Sequence, residues 1–265
     1  MKAGLSAVAL AVTGVLAGLI GLLVVRGASS LTLDFLLGLP VRAGREGGIL
    51  PVLASTGFLV GGALVLSVPV GVGTALYLQE YAPGGRMVAC VRALTEALAG
   101  VPSIIFGLFG FSLFVIRLGW GWSLAAGSAT LALMLLPTVI RTSEEALAAV
   151  PRDLREGAAA LGATRWESIR RLTLREAAPG IMTGVMLALG RAFGETAAVL
   201  LTAGSALGMP ASPLDPGRPM AVHLYILATE GLSEGRTWAT ALALVAGVLA
   251  VNLMANLLMG WWRRR

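Results

Sequence analysis

Two charged side chains interrupt a long apolar stretch in the second half of the chain. Arg191 and Glu195 are the only charged residues between positions 177 and 214. Arginine offers an oxyanion a planar fork of hydrogen-bond donors. A nearby carboxylate would lower the affinity for the anion enough for it to be released. Thr196 would add a hydroxyl contact. The alternative is a structural ion pair, in which Glu195 only neutralises Arg191.

The composition places these residues inside a membrane. Hydrophobic residues make up 57% of the 265 residues and charged residues only 13%, whereas soluble domains carry about 25% charged residues. A helix needs roughly 20 apolar residues to cross a bilayer. We therefore predict an all-α integral membrane protein with six transmembrane helices, at 3–25, 51–79, 97–116, 118–140, 177–214 and 237–262.

Helical geometry sets the expected depth of the charged pair. If the fifth helix begins near Pro179, Arg191 lies about 18 Å along it at 1.5 Å per residue. That is the middle of a hydrocarbon core about 30 Å thick. Glu195, four residues further on, would share the same helical face. Pro69 and Pro102 lie inside the second and third stretches and should bend those helices.

The positive charges predict the orientation of the chain. With both termini in the cytoplasm, the inner side holds thirteen Lys and Arg residues and the outer side six, as the positive-inside rule favours. The first stretch could also be a signal peptide, but it exceeds the roughly 7–15 apolar residues of such a segment. We predict an uncleaved first helix with an outer loop at 1–50, and a transmembrane domain at 51–262.

Several function classes are excluded or disfavoured by the rarer residues. Lys2 is the only lysine, so no P-loop can bind ATP, and the single Cys90 and His223 exclude a disulfide and a histidine-cluster metal site. The net charge is +6, but the charged residues lie in short segments between apolar runs rather than on one solvated face, which argues against nucleic-acid binding. An intramembrane hydrolase needs a nucleophile and base at depth, and a secondary transporter commonly has internal repeats. Neither pattern is visible.

Smaller polar features outside the spans have local interpretations. Glu96 is expected to pair with Arg92, four residues before it. His223 lies in a short outer segment at 220–228 that we predict to be an interfacial helix, and its presence there is incidental.

The inner loop at 150–175 carries the pattern of a helix that stops at a glycine. Leu154, Ala158 and Leu161 recur at helical spacing and form an apolar stripe. Gly162 is a natural helix end. Thr164 and Glu167 form a capping-box pattern, so a second short helix should begin there.

This loop is a candidate docking element. A cationic amphipathic helix pair could lie on anionic lipid, but the acidic residues within it weaken that interpretation. Its small side chains and glycine turn suit insertion into a protein groove better.

The same loop resembles the Glu-Ala-Ala loop of ABC importer permeases. The resemblance rests on Glu156, Gly157, Ala158, Leu161 and Gly162, with glutamate and glycine at the family's spacing and Gly157 where the first alanine is usual. It implies that the loop fits a cleft on a separate ATPase subunit and transmits closure of that subunit to the membrane helices.

Further stretches resemble PstA-type phosphate permeases, over about residues 33 to 256. They read GGILPVLAST, PVGVGTALYLQEYAP, LAGVPSIIFGLFG, LPTVIRTSEEALAAVP, RAFGETAAVL and PMAVHLYILATEG. The resemblance implies the type I ABC importer permease (MetI-like) fold with cytoplasmic coupling helices, and no enzyme activity. The chain would form half of a phosphate pathway in the inner (cytoplasmic) membrane, with a sulfate or molybdate permease or the partner PstC-type subunit as alternatives.

The resemblance also implies the partners. These would be a PstC-type permease, a PstB-type ATPase dimer that binds ATP-Mg, a PstS-type extracytoplasmic binding protein, inorganic phosphate and the lipid bilayer; this chain itself would hold no cofactor or metal. Glu195 could accept a proton from hydrogenphosphate, whereas sulfate has none to give. A carboxylate in the pathway would therefore disfavour the binding of sulfate.

Overall fold

The computed structural model describes residues 2–82 and 84–263, which are almost entirely helical. The elements in chain order are α1 (Lys2–Gly27), α2 (Leu33–Leu37), β1 (Pro40–Val41), β2 (Glu46–Gly47), α3 (Leu50–Leu76), α4 (Arg86–Ala99), α5 (Ser103–Gly110), α6 (Leu124–Ala148), α7 (Arg152–Ala160), α8 (Arg165–Ser168), α9 (Leu174–Gly194), α10 (Ala197–Thr202), α11 (Met220–Thr229) and α12 (Glu234–Arg263). The two short strands pair antiparallel. Stretches of π-helix extend α3, α5 and α8, at Tyr77–Tyr81, Phe111–Arg117 and Ile169–Thr173.

The predicted six-span, all-α architecture is confirmed, with a correction in the third span. Five helices in the described ranges are long and apolar enough to cross a membrane, and a sixth span results if α4 and the helix from Ser103 to Arg117 count as one. That pair is bent by 101° between Ala99 and Ser103, so the bend predicted at Pro102 is confirmed. The predicted limits of 97–116 are wrong, because the span begins at Arg86 and ends at Arg117. Pro102 disfavours a helical conformation at the residue before it. Pro69, by contrast, lies inside an unbroken α3.

The fifth span also differs from its predicted limits of 177–214. One continuous helix runs from Arg165 to Gly194, and Pro179 lies inside it rather than at its start. The chain then breaks, forms the six-residue α10 and continues as a loop to α11. The apolar stretch in the sequence shows which residues avoid water, but it does not show where the backbone is helical.

The core of the bundle surrounds α6, which packs against α3 and α9. Leu59, Leu131, Leu135, Ala188 and Val199 meet at its centre. Because lipid gives helices no hydrophobic reason to associate, close approach through small residues matters more. A Cβ at Gly184 of α9 would overlap Thr142 of α6.

The first helix contrasts with α6. None of the most apolar 18 residues between Val8 and Ser30 is buried within this chain, against 67% for the corresponding residues of α6. It contacts chiefly α12. The bundle therefore consists of a packed centre around α6 and a peripheral helix.

Candidate functional site

The turn in the loop at 150–175, which we call the coupling segment, has the predicted geometry. Gly162 follows α7 with a φ of +81°, a left-handed conformation that glycine adopts without steric cost. The N–H groups of Gly162 and Ala163 donate to the carbonyl oxygens of Ala159 and Ala158, at 3.0 and 3.1 Å. These bonds satisfy carbonyls left free at the helix end. The helix stop predicted at Gly162 is confirmed.

The second helix of the coupling segment begins at the predicted capping box. The backbone N–H of Thr164 donates to Glu167 Oε2 at 3.0 Å, and the Glu167 N–H donates to Thr164 Oγ1 at 3.3 Å. The prediction that this helix is short is wrong, because it continues through the π-helical turn into α9. One continuous helix therefore connects the turn of the coupling segment with Gly194.

The coupling segment presents an uncovered surface. No residue of α7 is buried, and Leu161 is 91% exposed. Leu154 and Trp166 are exposed as well. Glu156, Gly157 and Gly162 are exposed and Ala158 is half-buried. Clustered exposed apolar side chains mark a contact surface, in agreement with the interpretation of this segment as a docking element.

Sequence reasoning missed the residue that ties the coupling segment to the bundle. Glu80, in the π-helical end of α3, is buried, and its Oε1 lies 2.9 Å from Nη1 of Arg155 in α7. Arg165 of α8 donates to the Glu80 carbonyl oxygen, and its guanidinium lies 5.0 Å from the ring centroid of Tyr81. The only sign of this contact in the sequence was a single glutamate at the end of an apolar stretch. The same pattern is expected where a helix simply ends in water.

Arg191 occupies the last turn of α9 and is exposed along one face of that helix. The exposed positions of this face follow helical spacing: Glu176, Gly180, Thr183, Leu187, Arg191 and Gly194. Thr202, at the end of α10, accepts a hydrogen bond from Ser123 N at the start of α6. The predicted depth of Arg191 assumed a helix that begins near Pro179, whereas this helix begins at Arg165 and ends at Gly194, so that depth stays a prediction.

The predicted one-turn relation between Arg191 and Glu195 is wrong. The helix ends at Gly194, and Glu195 adopts an extended conformation with a φ of −74° and a ψ of 122°. Among the residues that the structure describes, neither Arg191 nor Glu195 forms an ion pair. The alternative of a structural ion pair therefore has no support in this conformation.

Glu195 and Thr196 lie at the break between α9 and α10. Glu195 is half-buried, and its Oε1 accepts a long hydrogen bond of 3.5 Å from Ala198 N. The Thr196 hydroxyl donates to the Gly194 carbonyl oxygen at 3.4 Å. Interrupted helices at middle depth bring backbone polar groups to transporter binding sites. Arg191, Glu195 and Thr196 thus lie within one short segment but do not bind one another.

Two ion pairs on the coupling-segment side of the bundle join α4 to α6. Arg92 of α4 pairs with Glu144 of α6 at 2.9 Å, and Glu96 pairs with Arg141 at 3.7 Å. The expected pairing of Glu96 with Arg92 is therefore wrong. These contacts hold the bent α4 against α6.

His223 is buried inside the protein. It is 1% exposed in α11, beside Gly44. Burial and then the nearby positive charge of Arg218 lower the pKa of His223 to about 4, because both disfavour a second charge there. The imidazole is therefore neutral at physiological pH, while the interfacial position of α11 stays a prediction.

A six-span bundle with an interrupted span and an exposed helix–turn–helix defines the class. It is the architecture of a membrane permease subunit of a type I ABC importer. Residues 67–265 match the family of binding-protein-dependent transport system inner membrane components, and the chain belongs to that family. The family consists of permease subunits, whose ATPase is a separate subunit.

Curated relatives match most of the chain. A probable ABC transporter permease protein, YqgI of Bacillus subtilis, is 34% identical over 92% of this chain and 89% of its own length. The phosphate transport system permease protein PstA of Haemophilus influenzae is 36% identical over 89% and 84%. PstA 1 of Mycobacterium tuberculosis strain H37Rv is 38% identical over 80% and 70%.

Solved structures support the fold. The inward-facing MetNI methionine ABC transporter matches with a TM-score of 0.61 at 22% identity, over 80% of this chain and 92% of that one. A bacterial alginate ABC transporter in complex with its pentasaccharide-bound periplasmic protein matches with a TM-score of 0.62 at 18% identity, over 78% and 76%. The predicted type I permease fold is confirmed.

Proposed function

We propose that this chain is the PstA-type half of an ATP-driven phosphate importer. The observation that carries the proposal is Arg191, an exposed guanidinium on a membrane helix next to an interrupted backbone. Relatives named as phosphate transport permeases, 32 to 38% identical, support phosphate as the anion. A guanidinium exposed on a single chain within a membrane span requires a wet cavity or a partner, as expected of half a pathway.

The chemistry required of this chain is binding and release. Arg191 offers two parallel N–H donors to two oxygens of the passing anion. Glu195, half-buried at the break, limits the affinity and favours an anion that still carries a proton. Thr196 adds a hydroxyl. The site needs no covalent step and no cofactor in this chain, because ATP-Mg is bound and hydrolysed by the separate subunits.

The proposed complex contains four kinds of subunit. A PstC-type permease completes the pathway, PstB-type ATPases dock on Glu156, Gly157, Ala158, Leu161 and Gly162, and a PstS-type protein delivers phosphate from outside. The exposed apolar side chains of the coupling segment support the docking assignment.

Reconstitution tests the function. The chain, co-expressed with PstC- and PstB-type subunits, is placed in proteoliposomes with a PstS-type protein, and uptake of labelled phosphate, sulfate and molybdate is measured. We expect uptake of phosphate alone, dependent on both ATP and the binding protein. Equal or faster uptake of sulfate or molybdate would contradict the phosphate assignment.

The proposed orientation has both termini in the cytoplasm and is tested by labelling. Single cysteines replace the exposed residues Arg45, Ala159 and Pro213 in a Cys90→Ser background. Because charge favours the coupling segment inside by thirteen to six, a membrane-impermeant maleimide should label Arg45→Cys and Pro213→Cys in intact cells. Ala159→Cys should react only after the cells are opened. Labelling of Ala159→Cys in intact cells would overturn the orientation.

A further inference from the structure

Three residues form a contact between the coupling segment and α3, which we call the Glu80 clasp: Glu80, Arg155 and Arg165. The Glu80 carboxylate lies 2.9 Å from Nη1 of Arg155, and the side chains are 9% and 25% exposed. Arg155 Nη2 also donates to the Leu147 carbonyl oxygen at 2.7 Å. Arg165 holds the Glu80 carbonyl oxygen and stacks over Tyr81. The side chain of Glu80 is thus bound by α7 and its backbone carbonyl by α8, so both helices of the coupling segment contact this one residue.

The clasp is unusual among the ion pairs of this chain. Of the six pairs that the described residues form, the other five each include a side chain more than half exposed. Exposed pairs contribute little to stability. Removing one partner of a buried pair leaves an uncompensated charge, so the remaining partner resists separation. A buried pair can therefore carry a displacement between two elements.

The surroundings show which displacement that would be. α7 has no buried residue and packs mainly against α8 and the π-helical turn after it. It has little apolar attachment to the spans. Its one ion pair in the described structure is with Glu80. A partner docked on α7 would therefore act on α3 through Arg155.

The two neighbouring spans are connected to the coupling segment in different ways. α9 is covalently continuous with α8, so it follows any movement of that helix. α3 lies about 70 residues earlier in the chain and has no such continuity. Small side chains, among them Ala75 and Ala177, also pack α3 near α9, but they do not involve α7. The Glu80 end of the clasp lies in a π-helical turn, and such turns are frequent at functional sites.

We propose that Glu80 is a positioning residue that carries the movement of the docked coupling segment to α3. This inference rests on the proposed function, in which an ATPase docks on α7. When α7 moves, Arg155 displaces the end of α3 through its ion pair with Glu80. Because α3 packs against α6, these two helices move together. ATP hydrolysis is thereby coupled to both α9 and α3 rather than to α9 alone.

The test compares transport per ATP in reconstituted complexes. Glu80→Gln removes the charge and keeps the shape, and Arg155→Gln does the same for its partner. In Glu80→Gln/Arg155→Met neither charge is left buried, so the subunit should assemble as well as the wild type. We expect phosphate imported per ATP to fall by about fivefold or more in all three variants, the lower end of typical coupling between sites. The double variant should be no worse than the single ones.

The control variant is Glu144→Gln, which breaks a pair of the same 2.9 Å length on the same side of the bundle but outside the coupling segment. It should leave phosphate per ATP unchanged. Normal phosphate per ATP in Glu80→Gln/Arg155→Met, at normal assembly, would overturn the proposal and leave the pair a stabilising contact.

A readout independent of the anion separates this proposal from the proposed function. Nitroxide labels at Ala159 in α7 and at Val70 in α3 are each paired with a label at Leu249 in α12, in a Cys90→Ser background. In the wild-type complex, ATP hydrolysis in the presence of vanadate, which traps the ADP product, should change both distances. In Glu80→Gln/Arg155→Met the change at Ala159 should persist and the change at Val70 should be lost.

Each of the other possible results of the distance measurements contradicts either the role of the clasp or the docking of the ATPase. If the change at Val70 persists in the double variant, the clasp does not transmit movement, although docking stands. If both changes are lost, the pair serves docking rather than transmission, and the proposal is again overturned. If the wild type shows no change at Ala159, docking itself fails and the clasp falls with it.

Discussion

Replacing Arg191 with glutamine is expected to abolish phosphate uptake while leaving the complex assembled. The guanidinium is exposed on α9 and forms no ion pair among the described residues, so its removal strands no buried partner. A hydrogen bond to a charged group contributes about 1.5–3 kcal/mol, which corresponds to roughly tenfold to hundredfold in rate. Losing two such bonds should bring uptake to background. Uptake is measured in proteoliposomes and normalised to assembled complex.

Companion variants show whether the fork geometry is what matters. Arg191→Lys retains the charge but not the paired donors, so it should recover only a minor part of the uptake. Arg117→Gln removes an exposed arginine at the end of the π-helical stretch after α5 and should transport normally. Normal, selective phosphate flux in Arg191→Gln would remove this residue from the pathway.

Glu195→Gln separates a role in selectivity from a structural role. Glu195 pairs with no cation in the described structure and accepts only a 3.5 Å bond from Ala198, so subunit yield should hold. Phosphate flux should fall, or discrimination against sulfate should weaken, because the carboxylate no longer opposes an unprotonated dianion. A reduced yield with unchanged anion preference would instead mean that Glu195 is a counter-ion in another conformation.

Replacing Gly162 with valine should uncouple ATP hydrolysis from transport or release the ATPase subunits. At a φ of +81°, a β-branched residue costs about 1–3 kcal/mol, and the turn between α7 and α8 would change to avoid that cost. The docking surface at Leu161 would then be displaced. Co-purified ATPase and phosphate imported per ATP are the measurements.

The matched control for this variant is Gly231→Val. Gly231 has a φ of +59°, and a Cβ there would meet open space, as it would at Gly162. The backbone cost is comparable, but the turn lies between α11 and α12, away from the coupling segment. It should lower the thermal midpoint without affecting coupling. Normal assembly and transport in Gly162→Val would contradict the docking hypothesis.

The sequence alone determined features that depend on nearest neighbours or on hydropathy. Apolar length predicted six spans, and glycine and capping-box spacing predicted the turn at Gly162 and the helix start at Thr164, because these depend on local backbone chemistry. A charge at Arg191 inside an apolar stretch was visible for the same reason. The quoted motifs predicted the family that the comparisons confirmed.

Only the tertiary structure decided which of these residues meet. Hydropathy could not show that the helix stops at Gly194, so it placed Glu195 on the wrong face. Nor could it show that α8 runs unbroken past Pro179, since neighbouring helices can satisfy the backbone groups that proline frees. Local spacing paired Glu96 with Arg92, whereas packing brought Arg92 to Glu144 and Arg155 to Glu80. Those partners lie 52 and 75 residues apart, and only the folded bundle makes them neighbours.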